Sequence, residues 1–189
     1  MLNKTIDELE GAGGNNKPKL DVGQTYPAII DLLIDLGDQR GTDFNTKEPN
    51  VKRKLWVGVC FPTEVYEVEM EGETTEFCQV LGKSMNAAKG KKAELVLTFD
   101  AVCDKGESIA DMLGKTCSVV VKANGAGNPA IEKINGPIRG SAVKMPEGRE
   151  LTLITEDDWP KVDADEIDFL PDFLVRTIKE RVGGPEDHE

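Results

Sequence analysis

Apolar and polar residues alternate with a period of two along much of the middle of the chain, the signature of strands with one buried face. The pattern closes most clearly at residues 114–140. There the β-branched runs 117–121 and 130–134 flank Asn124-Gly125-Ala126-Gly127-Asn128-Pro129, whose residues accept left-handed or fixed backbone angles, so a β-hairpin is expected. Upstream, order is expected to begin at Tyr26. In 26–37, Ile30, Leu32, Ile34 and Leu36 form one row, Asp31 and Asp35 fall on the other face with Leu33 between them, and Gly37 permits a bend. After a polar loop over 38–50, the strand 51–62 places Leu55, Val57, Val59 and Phe61 on a core face and Lys52, Lys54, Trp56 and Gly58 on the opposite one. Tyr66, Val68 and Met70 alternate with glutamates, Gly72 makes the turn, and 77–81 returns as a strand.

The period becomes helical in three places. In 93–103, Leu95, Phe99 and Val102 share a face that Leu97 and Ala101 broaden. In 107–113, Ile109, Ala110 and Leu113 line up and Gly114 is placed to stop the helix. A last amphipathic helix starts at Pro171 or Asp172, with Phe173, Leu174, Ile178 and Val182 as its apolar stripe. Breaker-rich stretches fill 136–148, and 150–168 is acidic with few apolar residues, to be ordered on contact or mobile. The expected organisation is a flexible arm over 1–23, a domain over 24–148, an acidic segment with the terminal helix over 149–182, and an acidic tail over 183–189.

Charge sharpens this division. The net −12 splits into −4 over 1–50, +1 over 51–149 and −9 over 150–189, so the acidity belongs to the ends and the central domain is balanced. Such a distribution disfavours bulk coating by nucleic acid and leaves room for a local basic face. Cys60, Cys78, Cys103 and Cys117 are too widely spaced for paired zinc ligands, and free thiols in a reducing cytosol are expected. The N-terminal sequence MLNKTIDELEG has no secretory pattern, and no apolar run is long enough to span a bilayer. The one histidine, His188, lies in the polar tail, and neither a phosphate loop nor a zinc pattern is complete, so no enzymatic activity, cofactor or metal is expected.

The order strand, strand, strand, helix, strand, strand is that of the OB-fold, which sets the expected class: mainly β with α, a five-stranded Greek-key barrel with a helix between strands 3 and 4, plus a C-terminal helix and flexible termini. An indole beside two ammonium groups suits stacking on an unpaired base next to phosphates, though Trp56 covering the barrel explains the same pattern. LGDQ (36–39), KRKLWVGVCFP (52–62), QVLGKSMNAAKGKKAEL (79–95), DMLGKTCSVVV (111–121), INGPIRG (134–140), KMPEG (144–148) and FLPDFLVRTIKERV (169–182) together resemble a group of bacteriophage OB-fold single-stranded DNA-binding replication proteins.

That resemblance implies a protein that coats or protects single-stranded DNA during replication or recombination in the cytoplasm of the infected bacterial host. Phage or host replication proteins would be contacted through the acidic C-terminus. It assigns base stacking to Trp56 and phosphate neutralisation to Lys52, Arg53, Lys54, Lys122, Lys133 and Arg139, with the connector lysines Lys83, Lys89, Lys91 and Lys92 beside them. Arg53 joins this set only if the strand start is frayed. Phe77 and Tyr66 are alternative stackers, with core packing as their other role. Sheet edges and the terminal helix offer surfaces for self-association. The competing reading is an OB-type protein-interaction module, virion-associated or opposing a host defence, that binds no nucleic acid and docks through its acidic ends.

Overall fold

The computed structural model describes residues 20–43, 45–70, 73–88 and 90–187; residues 1–19 of the arm expected over 1–23, the Gly72 turn, Lys89 and the last two residues lie outside them. The fold is mainly β. Five antiparallel strands, β1 (Thr25–Thr42), β2 (Pro49–Met70), β3 (Glu73–Asn86), β4 (Thr116–Ala123) and β5 (Pro129–Asn135), lie in the order β3-β2-β1-β4-β5, and a short β6 (Thr152–Ile154) pairs parallel with β1. Helix α1 (Glu94–Val102) connects β3 to β4, as expected, and α2 (Trp159–Asp163) and α3 (Asp172–Lys179) follow β6. No helix among the described residues is long and apolar enough to cross a membrane.

β1 is the central strand and is buried on both sides. This explains why its apolar run looks almost continuous. A register shift between Ile30 and Leu32 breaks the single row expected from alternation. Ala28, Ile30 and Leu33 face the main core with Val57, Val59, Phe61, Val119, Val121, Ile131 and Ile134, whereas Leu32, Ile34 and Leu36 face a second core. The row Leu55, Val57, Val59 and Phe61 packs inward, as expected. A second shift lies between Asp35 and Gly37, and Gly37 takes a positive φ of 72°, the bend expected of it.

Both long strands exceed their expected bounds. β1 runs through Thr42, and Asp43 closes the short connection by accepting hydrogen bonds from the Asn45 and Thr46 amides at 2.9 and 3.1 Å. β2 absorbs the segment expected as a separate strand at 66–71. Pro62 falls in a register shift between Phe61 and Val65 and does not end the strand. Beyond that shift β2 pairs with β3 alone, so the two form a protruding ribbon.

At 107–113, only a 3-10 turn forms, Ile109–Met112, closed by a Ser108–Asp111 capping box. It inserts Met112 into the main core and packs Leu113 against it, while Ile109, expected on the same face as Leu113, stays exposed. The β4–β5 hairpin is as expected: Asn124 Oδ1 accepts from the Ala126 and Asn128 amides, each at 2.9 Å, and Gly127 supplies a positive φ. Leu20 is buried against the same core, so ordered structure begins ahead of Tyr26.

The acidic region after residue 149 carries its own core. Ile154, Val162, Leu170, Leu174 and Ile178 are buried against Ile34 and Leu36 of β1, with Trp56, Trp159, Ile167 and Val175 partly buried around them. Arg181 forms a two-pronged pair with Asp163 at 2.9 and 2.7 Å, and its guanidinium lies 4.6 Å from the Trp159 ring centroid. The stretch up to Asp187 is tied down as well, since Arg40 donates twice to that carboxylate at 3.0 Å. Sparse apolar residues suffice because they sit on a face that β1 and β2 already provide.

Candidate nucleic-acid interface

β2 carries the first group of expected contacts. It is already regular at Arg53, which pairs with Asp38, so the frayed start assumed for that residue is absent. The Arg53 guanidinium engages the Asp35 carboxylate, with Nε 3.2 and 3.1 Å from its two oxygens, and reaches Glu156 Oε2 at 2.6 Å. The hydrogen bonds it donates to Asp35 and then to Glu156 hold it firmly protonated, its pKa pushed up. The Lys52 ammonium stands 3.8 Å from Asp43. Lys54, half-buried, sits between Gly37 and Asn86 on the neighbouring strands.

Trp56 is enclosed. Its indole lies across Gly82, where an added Cβ would collide with the ring, and Phe173 of α3 meets it edge-on at 5.3 Å between centroids. The ring, partly buried, packs against the second core as a cover over the sheet. Beside it, Trp159 Nε1 donates to the Asp35 carbonyl at 2.9 Å. The outer face of β1 and β2 is therefore occupied by the chain's own C-terminal segment, and Arg53, expected as a phosphate contact, is tied to that segment through Glu156.

The second group lies around α1, β4 and β5. Lys83 of β3 is held between α1 and β5. It is paired with Glu94 of α1 and donates to the Glu132 carbonyl of β5 at 3.0 Å, so it bridges the two ends of the strand path. Lys92 and Lys133 come together on a groove of about 350 Å³, lined also by Glu94, Leu97, Thr98, Val120, Glu132 and Ile134. Leu97, 48% exposed, is part of its apolar lining. Val120 pairs with Lys133 across the hairpin, and Lys122, exposed, follows further along β4. Lys91 is exposed next to Lys92. Arg139 is exposed in the turn after β5 and does not line the groove, and Lys89 is outside the described residues. The structure thus gathers Lys92 with Lys133 and separates both from Lys52, Lys54 and Trp56.

Tyr66 and Phe77 stack on each other on the ribbon, centroids 5.9 Å apart and planes at 29°. They are half-buried and belong to none of the three apolar clusters, so the core role does not describe them.

One cluster has no counterpart among the expectations. Asp31, expected on the face opposite the Ile30 row, is 2% exposed and paired with Arg149. Burial raises its pKa despite the opposing charge of Arg149. A lone carboxylate inside an apolar run is the signal the sequence offers, since such a residue demands a buried cation. Beside this pair the buried Cys60 and Cys78 thiols share an apolar patch with Val143 and Met145; their mutual interaction pushes the Cys60 pKa up and brings that of Cys78 down to about 7.

Compared with protein-family models, curated proteins and solved structures, the chain matches none.

Proposed function

We propose that this chain is a non-enzymatic single-stranded DNA-binding protein built on an OB-like barrel, acting in phage replication or recombination inside the infected bacterium. The observation that carries the reading is the strand order β3-β2-β1-β4-β5 with α1 between β3 and β4, combined with the Lys83 bridge from β3 to β5. That is the Greek-key order of an OB barrel, and the bridge spans the seam at which such a barrel closes.

The contact surface in this reading is the groove beside that seam. Lys92 and Lys133 neutralise phosphates, Lys91 and Lys122 extend the path, and Leu97 offers apolar contact to a base. The C-terminal segment, net −9, takes no part in DNA contact and is the surface for replication proteins. Fluorescence anisotropy of labelled oligo-dT at low and moderate salt tests the proposal. Affinity that falls steeply with salt supports it, and no binding even at low salt overturns it.

A second reading is favoured by one observation. The aromatic and guanidinium groups best suited to a nucleic acid, Trp56 and Arg53, are engaged by Phe173 and Glu156. An OB-type module that docks a protein would have no need of them, and absence of oligo-dT binding would leave that reading standing.

A further inference from the structure

The buried patch where β2 and β3 enter the ribbon holds two thiols on one face. Cys60 of β2 pairs with Val80 of β3, so Cys78, two residues earlier on β3, is its diagonal neighbour on the same side of the sheet. The two thiols share one buried cluster, and the Cys60 thiol donates to Met145 Sδ at 3.8 Å. Val80, Val143 and Met145 surround the pair. The guanidinium of Arg149, held in place by Asp31, is close enough to act on both sulfurs.

The two sulfurs differ in what they can do. Cys60 is fully buried, whereas Cys78 keeps 8% of its surface open. Interaction with Cys60 and then the charge of Arg149 favour the Cys78 thiolate, bringing its pKa to about 7. Burial pushes the Cys103 and Cys117 thiols up, the latter to about 12. A thiolate with a narrow opening to solvent, backed by a second thiol and a fixed guanidinium, is the arrangement of an attacking and a resolving cysteine.

We propose that Cys78 and Cys60 form a peroxide-sensitive dithiol site, with Cys78 as the reacting sulfur and Cys60 as the resolving one. The Cys78 thiolate attacks one oxygen of a hydroperoxide, breaking the O–O bond and leaving Cys78 as a sulfenic acid; the departing oxide takes a proton to become water or an alcohol. The Cys60 sulfur then displaces the sulfenic oxygen, which leaves as water with the Cys60 proton, and the S–S bond forms. Two protein thiols are oxidised and one hydroperoxide is reduced. The product ties β2 to β3 at the root of the ribbon, beneath residues 143–149, and a small thiol reverses it.

The test exposes the full-length folded protein to hydrogen peroxide, blocks free thiols, and maps the remainder by peptide mass spectrometry. Cys60 and Cys78 should disappear together into one cross-linked pair that dithiothreitol restores, ahead of any change at Cys103 or Cys117. In Cys60→Ser, Cys78 should accumulate as a sulfenic acid captured by dimedone. Oxidation of Cys103 first, oxidation of Cys78 beyond the sulfenic acid without linkage to Cys60, or inert thiols throughout would each overturn the proposal. Mapping of the unsubstituted protein decides the matter even if the variant does not fold.

Discussion

Phe173 of α3 meets Trp56 of β2 edge to face, with ring planes at 66°. Phe173 is itself 44% exposed, so this contact is the outer wall of the indole's enclosure. In a Trp159→Phe background, Phe173→Ala should shift Trp56 emission to the red and lower unfolding stability by about 1 kcal/mol, the size of an aromatic pair at a partly exposed site. With Phe173 intact, saturating oligo-dT should leave Trp56 emission unchanged. Strong quenching would mean that the C-terminal segment lifts off the sheet when DNA arrives.

If Lys92 and Lys133 hold phosphates, replacing both by Gln should weaken oligo-dT binding and make the salt dependence of log K shallower by about 1.4, roughly 0.7 for each phosphate that is no longer neutralised. Arg53→Gln should leave that slope unchanged while lowering the melting temperature, because its partners are Asp35 and Glu156. Equal slopes for the lysine double variant and the unsubstituted protein, measured by anisotropy, would rule out the groove as the DNA-contacting surface.

Gly82 is where the Trp56 ring crosses the backbone of β3, and a Cβ there has no space. Gly82→Ala should cost about 1–3 kcal/mol, as overpacking in a fixed interior does. Chemical denaturation measures it. Gly90→Ala, in open space, is the control and should have little effect.

Two carboxylates should give opposite pH signatures. The hydrogen bond and charge of Arg181 hold Asp163 below its ordinary 3.8, so its stabilisation is complete above that value and is lost as pH falls through the lower folded-state value. Asp163→Asn should therefore flatten the acid side of a stability profile. Asp31 is shifted the other way by burial; the folded state binds its proton more tightly, and stability declines as pH rises from 3.8 through the higher folded-state value. Asp31→Asn should remove that decline. Thermal melts from pH 3 to 7 separate the two, and identical profiles for both variants would contradict the assignment.

Local pattern makes much of the sheet legible, because period-two alternation at Leu55 to Phe61 and the Asn124–Pro129 turn chemistry report a single buried face. Alternation misleads where a strand has two. At β1 the shift beside Asp31 sends Ile30 and Leu32 to different cores, and no local rule announces which residue a bulge will displace. The acidic region after residue 149 has the composition of a loosely ordered segment because its apolar residues are few. Its order comes from β1 and β2, which lie far away in sequence. The basic sites divide for the same reason: Lys92 and Lys133 meet only because α1 lies against β5, while Arg53 and Trp56 are claimed by a segment whose docking has no sequence-local signal.

The ribbon beyond Phe61 presents two strand edges to which, among the described residues, no strand is added. Such edges are templates for another chain. Glu67 stands directly opposite Glu76, an arrangement that weakens the ribbon through like charge and yet lies on its exposed side with Glu69. The same repulsion acts between molecules: two copies stacking edge to edge would bring these carboxylates together at every addition. Glutamates so placed disfavour edge-to-edge growth of the ribbon, trading some rigidity of the protrusion for resistance to stacking.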